Sequence, residues 1–396
     1  MKIRILTNSF LKVIEQRNSA YKNISFKSYS IFTTILCIFP LFYISGKLLN
    51  NKIIYGLKEP FVLAITLALL FLTKYNKKTW TIVFFHIALV VYGYFLTDEN
   101  FTLFVMSVRE VGLYPIFGVI LGAYLYRAGG VKPFYLMISI YFIATVLFYL
   151  LFTEKSFGLT NRLKSFWDRE HEPSIIAVIF FFSVIYTRTL SVLKIFMLLL
   201  CIYIILLSGS RSGLLSIILI STLISIKELS FIKVFVTIIF TIILWVLFEQ
   251  LTPSGRSLDH NLIARINQYD LAWRTMIDSN FLGIGPDKYG VLSSVVKVYY
   301  CKFGMCTSTM DSTILKYTVN YGILYVLGLT YCLAGPLRLL LQKNILPEEK
   351  TLVSVVLFGI IMGCITGKMG AFPLNMFFYL ALGAVSHDRK KIVDQC

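Results

Sequence analysis

An arginine interrupts an otherwise apolar stretch of this chain. Residues 206–220 read LLSGSRSGLLSIILI, and Arg211 lies in a short Ser/Gly break between two apolar runs. A guanidinium at the centre of a bilayer costs about 2.5–3.5 kcal/mol, so a charge at this place needs a reason. Arginine presents a planar fork of N–H donors that binds phosphate in a bidentate manner. Arg211 therefore either marks a membrane surface or binds an anionic substrate, and its small neighbours would leave room for a headgroup to approach.

Further candidates lie in the long polar segment 249–312. Its stretch ARINQYDLAWRTMID has apolar residues at helical spacing and a polar side, which predicts an amphipathic helix at the membrane surface. The glycines of the following FLGIGPDKYG should end this helix. This segment contributes Arg265, Tyr269, Arg274 and Gly285 as candidate site residues, and the charged stretch 154–173 contributes Arg162 and Glu172.

Composition indicates that membrane helices position these residues. Of the 396 residues, 57% are hydrophobic and 15% charged, and the mean hydropathy is +0.76. Soluble domains have about 25% charged residues, so an all-α polytopic membrane protein with about twelve transmembrane helices is expected. The predicted spans are 29–45, 54–73, 79–97, 103–126, 133–153, 174–187, 192–208, 212–226, 231–248, 314–337, 351–366 and 371–386.

The net charge of +18 is explained by membrane topology. With the N-terminus inside and loops assigned alternately, the cytoplasmic side carries over half of the 38 basic residues and few acidic ones. Nucleic-acid binding is not expected, because no basic helix is present. The predicted organisation is a cytoplasmic segment 1–28, helices one to nine in 29–248, an external loop 249–312, helices ten to twelve in 313–387 and a cytoplasmic tail 388–396.

Six arginines fall on the external side, where basic residues are disfavoured. One interpretation is ordinary solvation, with acidic residues of the same loops as partners. The other is a site for a lipid-linked phosphate or pyrophosphate, which suits several arginines at a membrane surface. These arginines are Arg162, Arg169, Arg211, Arg256, Arg265 and Arg274.

Charged residues also occur within or near the predicted spans. Arg109 and Glu110 lie in apolar sequence, where ionisable residues indicate function by default. They either line a polar cavity or precede a span that begins near Val111. Lys316 is close enough to the outer interface to extend its amine to it.

Motifs of soluble enzymes are missing from the sequence. It has no Walker loop, HExxH or Gly-x-Ser-x-Gly motif, and the glycines at 283–290 do not open a helix after a strand. No metal site is predicted. Cys301 and Cys306 lie in the external loop, where an oxidising compartment would allow a disulfide. A metal pair is the alternative, but it lacks nearby histidines.

Four pieces of the sequence resemble one family, the O-antigen ligase and O-antigen polymerase superfamily of bacterial polysaccharide assembly. Their order, spacing and common external placement carry the resemblance. They are RLKSFWDREHEPSIIA (162–177), LLSGSRSGLL (206–215), RINQYDLAWRTMIDSNFLGIG (265–285) and DSTILKYTVNYGILYVLGL (311–329).

The resemblance implies a glycosyltransferase of the bacterial inner membrane with its active site facing the periplasm. Its donor and acceptor would be undecaprenyl-pyrophosphate-linked oligosaccharides, with membrane lipids, a chain-length regulator and a flippase as further partners. Arg211 and Arg265 match the arginines expected to engage the donor pyrophosphate, and Arg274 and Gly285 match an Arg-x10-Gly spacing of polymerase loops. Neither a cofactor nor a metal is expected, because the pyrophosphate already activates the sugar.

One departure from the ligase pattern bears on the choice within the family. Ligases usually have a histidine in the fourth piece, where this chain has Asp311. A carboxylate can serve as general base towards a sugar hydroxyl, and its presence here favours a polymerase. Asp311 could also cap the tenth span, since aspartate is a favoured N-cap. The alternatives are an O-antigen ligase and a lipid-linked oligosaccharide transporter.

Overall fold

The computed structural model describes residues 58–72, 74–97, 101–151, 172–186, 191–227, 239, 258–286, 300–302, 305–307, 312–342, 345–365 and 374–386. Within these ranges the chain is helical except for one short β-hairpin. The helices are α1 (Lys58–Leu72), α2 (Lys77–Phe95), α3 (Phe101–Ser107), a π-helix (Val108–Leu113), α4 (Tyr114–Gly129), α5 (Lys132–Leu151), α6 (Glu172–Ile185), α7 (Val192–Leu207), α8 (Arg211–Lys227), α9 (Leu258–Asp278), α10 (Thr313–Leu341), α11 (Pro347–Ile365) and α12 (Leu374–Ser386).

Apolar helices dominate, as the composition predicts. Ten of the predicted spans coincide with helices, while span 29–45 and all of span 231–248 except residue 239 lie outside the described residues. Four stretches in the described part are long and apolar enough to cross a membrane, and five shorter apolar helices accompany them. The four are Lys77–Phe95, Phe104–Arg127, Lys132–Leu151 and Thr313–Leu341.

Glycines allow α4 and α12 to pack closely at the centre of the core. A Cβ atom added at Gly122 would overlap the carbonyl oxygen of Leu380, and one added at Gly383 would overlap that of Val119. Gly118 and Gly122 form a small-xxx-small pattern, which lets helix backbones approach in membranes. The spacing of these glycines in an apolar helix is visible in the sequence. Which helix packs against them is not.

One short β-hairpin accompanies the helices of the predicted all-α fold. Strands β1 (Tyr300–Lys302) and β2 (Met305–Thr307) pair antiparallel beside α9, with Cys301 directly opposite Cys306. Strands of three residues are too short to show the alternating pattern that identifies a strand in sequence. The hairpin register brings the backbones of the two cysteines together, and the disulfide between them stays a prediction.

Candidate functional site

The C-terminal end of α11 holds together two segments that carry predicted site residues. The Ser312 hydroxyl donates to the Gly363 carbonyl oxygen over 2.9 Å, and the Tyr269 hydroxyl donates to the Cys364 carbonyl oxygen over 3.1 Å. Ser312 precedes α10, and Tyr269 belongs to α9. Because adjacent carbonyls hold both segments, α9 and the start of α10 meet at what we call the Gly363 end.

Helix α6, which begins with Glu172, packs against α11. The Thr351 hydroxyl, near the start of α11, donates to the Phe182 carbonyl oxygen, near the end of α6, over 3.3 Å, and the two helices pack together. Glu172 is the first residue of α6 and is 2% exposed. Its burial at a helix N-terminus suits a carboxylate, since the helix dipole is positive there.

A tight turn places Arg211 at the start of α8, which packs against α6 and α11. Gly209 has a positive φ of 60°, and the Ser210 hydroxyl accepts the Gly213 N–H as an N-cap. The Ser208 hydroxyl is buried and donates to the Ile205 carbonyl oxygen. These serine hydroxyls are thus engaged in closing the turn, and the prediction that the small neighbours of Arg211 leave room for a headgroup stays a prediction.

Helix α9 confirms the predicted amphipathic helix and extends it towards its N-terminus. Gln268, Ala272 and Met276 are buried, and this side of α9 packs against α10. Arg265 precedes Gln268 by three residues and Ala272 by seven. Residues at this spacing lie on one side of a helix, so the backbone of Arg265 lies on the side of α9 that packs against α10. The helix therefore has a second, protein-facing side that the sequence pattern did not indicate.

The opposite side of α9 is exposed and largely apolar. Tyr269 is 48% exposed although its hydroxyl is held by α11. Trp273 and Ile277 are also exposed, as an interfacial helix requires. Arg274 pairs with Asp270 one turn earlier, with 3.5 Å between the two groups. Roles for Tyr269 and Arg274 in substrate binding stay predictions.

The turn after α9 docks into a break in α10. The N–H groups of Ile284 and Gly285 donate to the carbonyl oxygens of Val319 and Asn320 over 3.0 and 3.1 Å, and the Ile323 N–H donates to Phe281 over 2.9 Å. The break is possible because Gly322 adopts φ 63° and ψ −150°. The structure thus gives Gly285 a docking role, and a substrate contact of this residue stays a prediction.

Four sequence candidates lie outside the described residues, namely Arg162, Arg169, Arg256 and Asp311. The alternative role of Asp311 as the cap of the tenth span is wrong. Ser312 is the N-cap of α10, since its hydroxyl accepts the Leu315 N–H over 3.2 Å. Serine and aspartate are comparable caps, so the sequence did not distinguish between these neighbours.

A cluster of charged side chains adjoins this site on the other side of α10. The Lys316 amine and the Tyr317 hydroxyl both donate to Glu110 Oε2, over 3.1 and 3.0 Å. Arg109 lies 3.5 Å from Glu59 Oε1. The Lys316 amine therefore pairs with an acidic partner on the π-helix, and its extension to the membrane interface stays a prediction. In the sequence, this cluster was indicated only by the charged pair Arg109–Glu110 within apolar residues. The residues that pair with them are distant in the chain and could not be identified from the sequence.

The apolar helices that are long enough to cross a membrane are those expected of an integral membrane protein. Residues 196–330 match the family model described as O-antigen ligase, and this match supports the superfamily resemblance and a glycan-transfer role in the membrane. The matched region contains Arg211, Arg265 and Asp311, whereas Glu172 and Glu110 lie before it. The search of curated proteins returned no match.

Proposed function

We propose that this protein is a bacterial polysaccharide polymerase, which makes O-antigen or capsule in the inner membrane. About twelve spans would place both termini in the cytoplasm and residues 249–312 in the periplasm. The observation that carries the proposal is the meeting of α9 with the start of α10 at the Gly363 end. These are the elements that bear Arg265 and adjoin Asp311, and both belong to the family-matched region.

The proposed reaction transfers the growing glycan from its lipid pyrophosphate to one lipid-linked repeat unit. A hydroxyl oxygen of the repeat unit attacks the anomeric carbon of the donor, and the bond from that carbon to the pyrophosphate oxygen breaks. The lipid pyrophosphate leaves with the electron pair. Arg211 and Arg265 would stabilise its developing charge, and Asp311 would accept the hydroxyl proton. Glu172 is the second candidate for the base.

An O-antigen ligase is the second candidate function, and the description of the matching family favours it. The two enzymes use the same donor, but a ligase transfers the glycan to lipid A–core. We prefer the polymerase because Asp311 stands where the resemblance leads one to expect a ligase histidine.

Lipopolysaccharide gels of a deletion strain distinguish the two enzymes. Loss of a polymerase leaves a single repeat unit on the lipid A–core, whereas loss of a ligase leaves none. We expect the single repeat, restored to long chains by a plasmid copy. Bare core would overturn the polymerase and support the ligase.

Elongation by the purified protein in detergent tests the proposal against a transporter. No membrane separates donor from acceptor in this experiment, so a transporter would produce no longer chains. We expect products that grow by whole repeat units.

A further inference from the structure

The charged cluster beside α10 includes residues of a stretch that is long and apolar enough to cross a membrane, where charges would be costly. Glu110 follows Phe104, the first residue of the Phe104–Arg127 span, by six residues, or about 9 Å of helix. The Glu110 and Lys316 side chains are both 24% exposed, and the Arg109 side chain is 38% exposed. Charged groups facing hydrocarbon would be strongly disfavoured, so their exposed parts should face water or a polar ligand.

Some hydrogen-bonding atoms of Glu110 and Arg109 have no partner among the described residues. Glu110 uses one carboxylate oxygen, Oε2, for both Lys316 and Tyr317, and its Oε1 accepts no hydrogen bond from the described residues. Within the same part of the chain, the buried Nε of Arg109 has no hydrogen-bond partner. An available acceptor therefore stands beside a guanidinium whose side chain is partly exposed although its Nε is buried.

A π-helix presents these two residues, and other elements hold it in place. The segment Val108–Leu113 interrupts the regular helix, and such interruptions are frequent at functional sites. The Asn375 amide donates to the Glu110 carbonyl oxygen over 2.9 Å, and the Ser107 hydroxyl contacts the Tyr321 hydroxyl at 2.5 Å. The cluster is thus fixed against α10 and α12 before any ligand arrives.

The charge balance indicates which ligand would suit the cluster. Glu59 and Glu110 offset Arg109 and Lys316, so the four groups carry no net charge. A pyrophosphate would gain little from such a field, whereas neutral hydroxyl groups can donate to a carboxylate and accept from a guanidinium. Sugar hydroxyls fit this combination.

We propose that Arg109 and Glu110 form a subsite for the hydroxyl groups of the acceptor repeat unit. Lys316, whose amine binds Glu110, donates its backbone N–H to the Ser312 carbonyl oxygen, so its backbone lies one helical turn, about 5.4 Å, from the neighbour of Asp311. A sugar held there would keep its attacking hydroxyl near the proposed base. This inference rests on the proposed function for the identity of the ligand.

The test uses the purified full-length protein and two probes. The first is the repeat-unit oligosaccharide released from its lipid in the deletion strain, with binding measured by titration calorimetry. The second is the intact lipid-linked repeat unit, with kcat and KM measured for elongation. Glu110→Gln and Arg109→Gln should each weaken oligosaccharide binding and raise the acceptor KM at least tenfold, with kcat within threefold of the wild type.

A double variant separates sugar binding from a structural ion pair. In Glu110→Gln/Lys316→Met both charges are removed, so a merely structural role predicts that the acceptor KM returns to the wild-type value. We expect KM to remain raised as in Glu110→Gln, and a return to the wild-type value would overturn the subsite. If the wild type binds the oligosaccharide but does not elongate it, the proposed function fails, and the loss of binding in Glu110→Gln still decides the inference.

Discussion

Arg211 is the residue on which the proposed chemistry most depends. It begins α8 after a closed turn, so its backbone is held in place before substrate binds. Arg211→Ala should reduce elongation at least a hundredfold, because removal of one group that stabilises developing charge costs about 10²–10³ in rate. The measurement is the distribution of chain lengths on a gel, with membrane abundance followed by immunoblot.

Arg338→Ala provides the matched control for Arg211→Ala. Arg338 is an exposed arginine in the last turn of α10. Its replacement should leave chain length and abundance unchanged. Normal long chains in Arg211→Ala would contradict the role assigned to Arg211.

Asp311 and Ser312 are neighbours with different predicted roles. Asp311→Asn removes the proposed base and should lower kcat by about 10²–10⁴ without changing the melting temperature. Ser312→Ala removes the N-cap of α10 and its bond to Gly363, and should instead lower stability by about 1 kcal/mol. Kinetics and thermal unfolding in detergent check both, and unchanged kcat in Asp311→Asn would reject the base.

Among the helices and their connections, the break in α10 matters for the site because the turn after α9 docks into it. A Cβ atom at Gly322 would overlap the Phe281 carbonyl oxygen, and the positive φ adds backbone strain of about 1–3 kcal/mol for any other residue. Gly322→Ala should therefore release the turn after α9 from α10. We expect a lower melting temperature and impaired elongation.

Gly335→Ala is a control within the same helix. A Cβ atom there would meet Val385 at 3.9 Å, an ordinary contact. This variant should match the wild type in melting temperature and elongation. Equal behaviour of the two alanine variants would show that the docked turn does not matter.

The β-hairpin carries its own prediction. Its register places Cys301 opposite Cys306. A disulfide between them would raise the free energy of unfolding by about 2 kcal/mol, because closing even a short loop lowers the entropy of the unfolded chain. Neither cysteine should react with a maleimide in intact cells until a reductant is added. Cys301→Ala should expose Cys306 to labelling without reductant. Labelling of both cysteines in the untreated protein would contradict the disulfide.

The whole molecule has a predicted topology in the membrane. The excess of basic residues on alternate loops predicts a cytoplasmic C-terminus. A green fluorescent protein fused to the C-terminus should fluoresce, and alkaline phosphatase at the same place should be inactive. The opposite pair of results would invert the side on which the Gly363 end faces.

The sequence by itself determined the membrane class, the positions of most apolar helices, and the segment in which α9 forms. These properties follow from local composition and helical spacing, which act within one stretch of chain. The family resemblance added Arg211, Arg265 and Asp311 as candidates, but not whether they meet.

Only the tertiary structure decided which distant residues become partners. Glu110 meets Tyr317 across 207 positions of sequence, and Tyr269 meets Cys364 across 95. The break at Gly322 is likewise explained only by the turn after α9, which docks into it. Such contacts depend on how helices pack, and packing is set by the shapes of all their surfaces together rather than by any one stretch of residues.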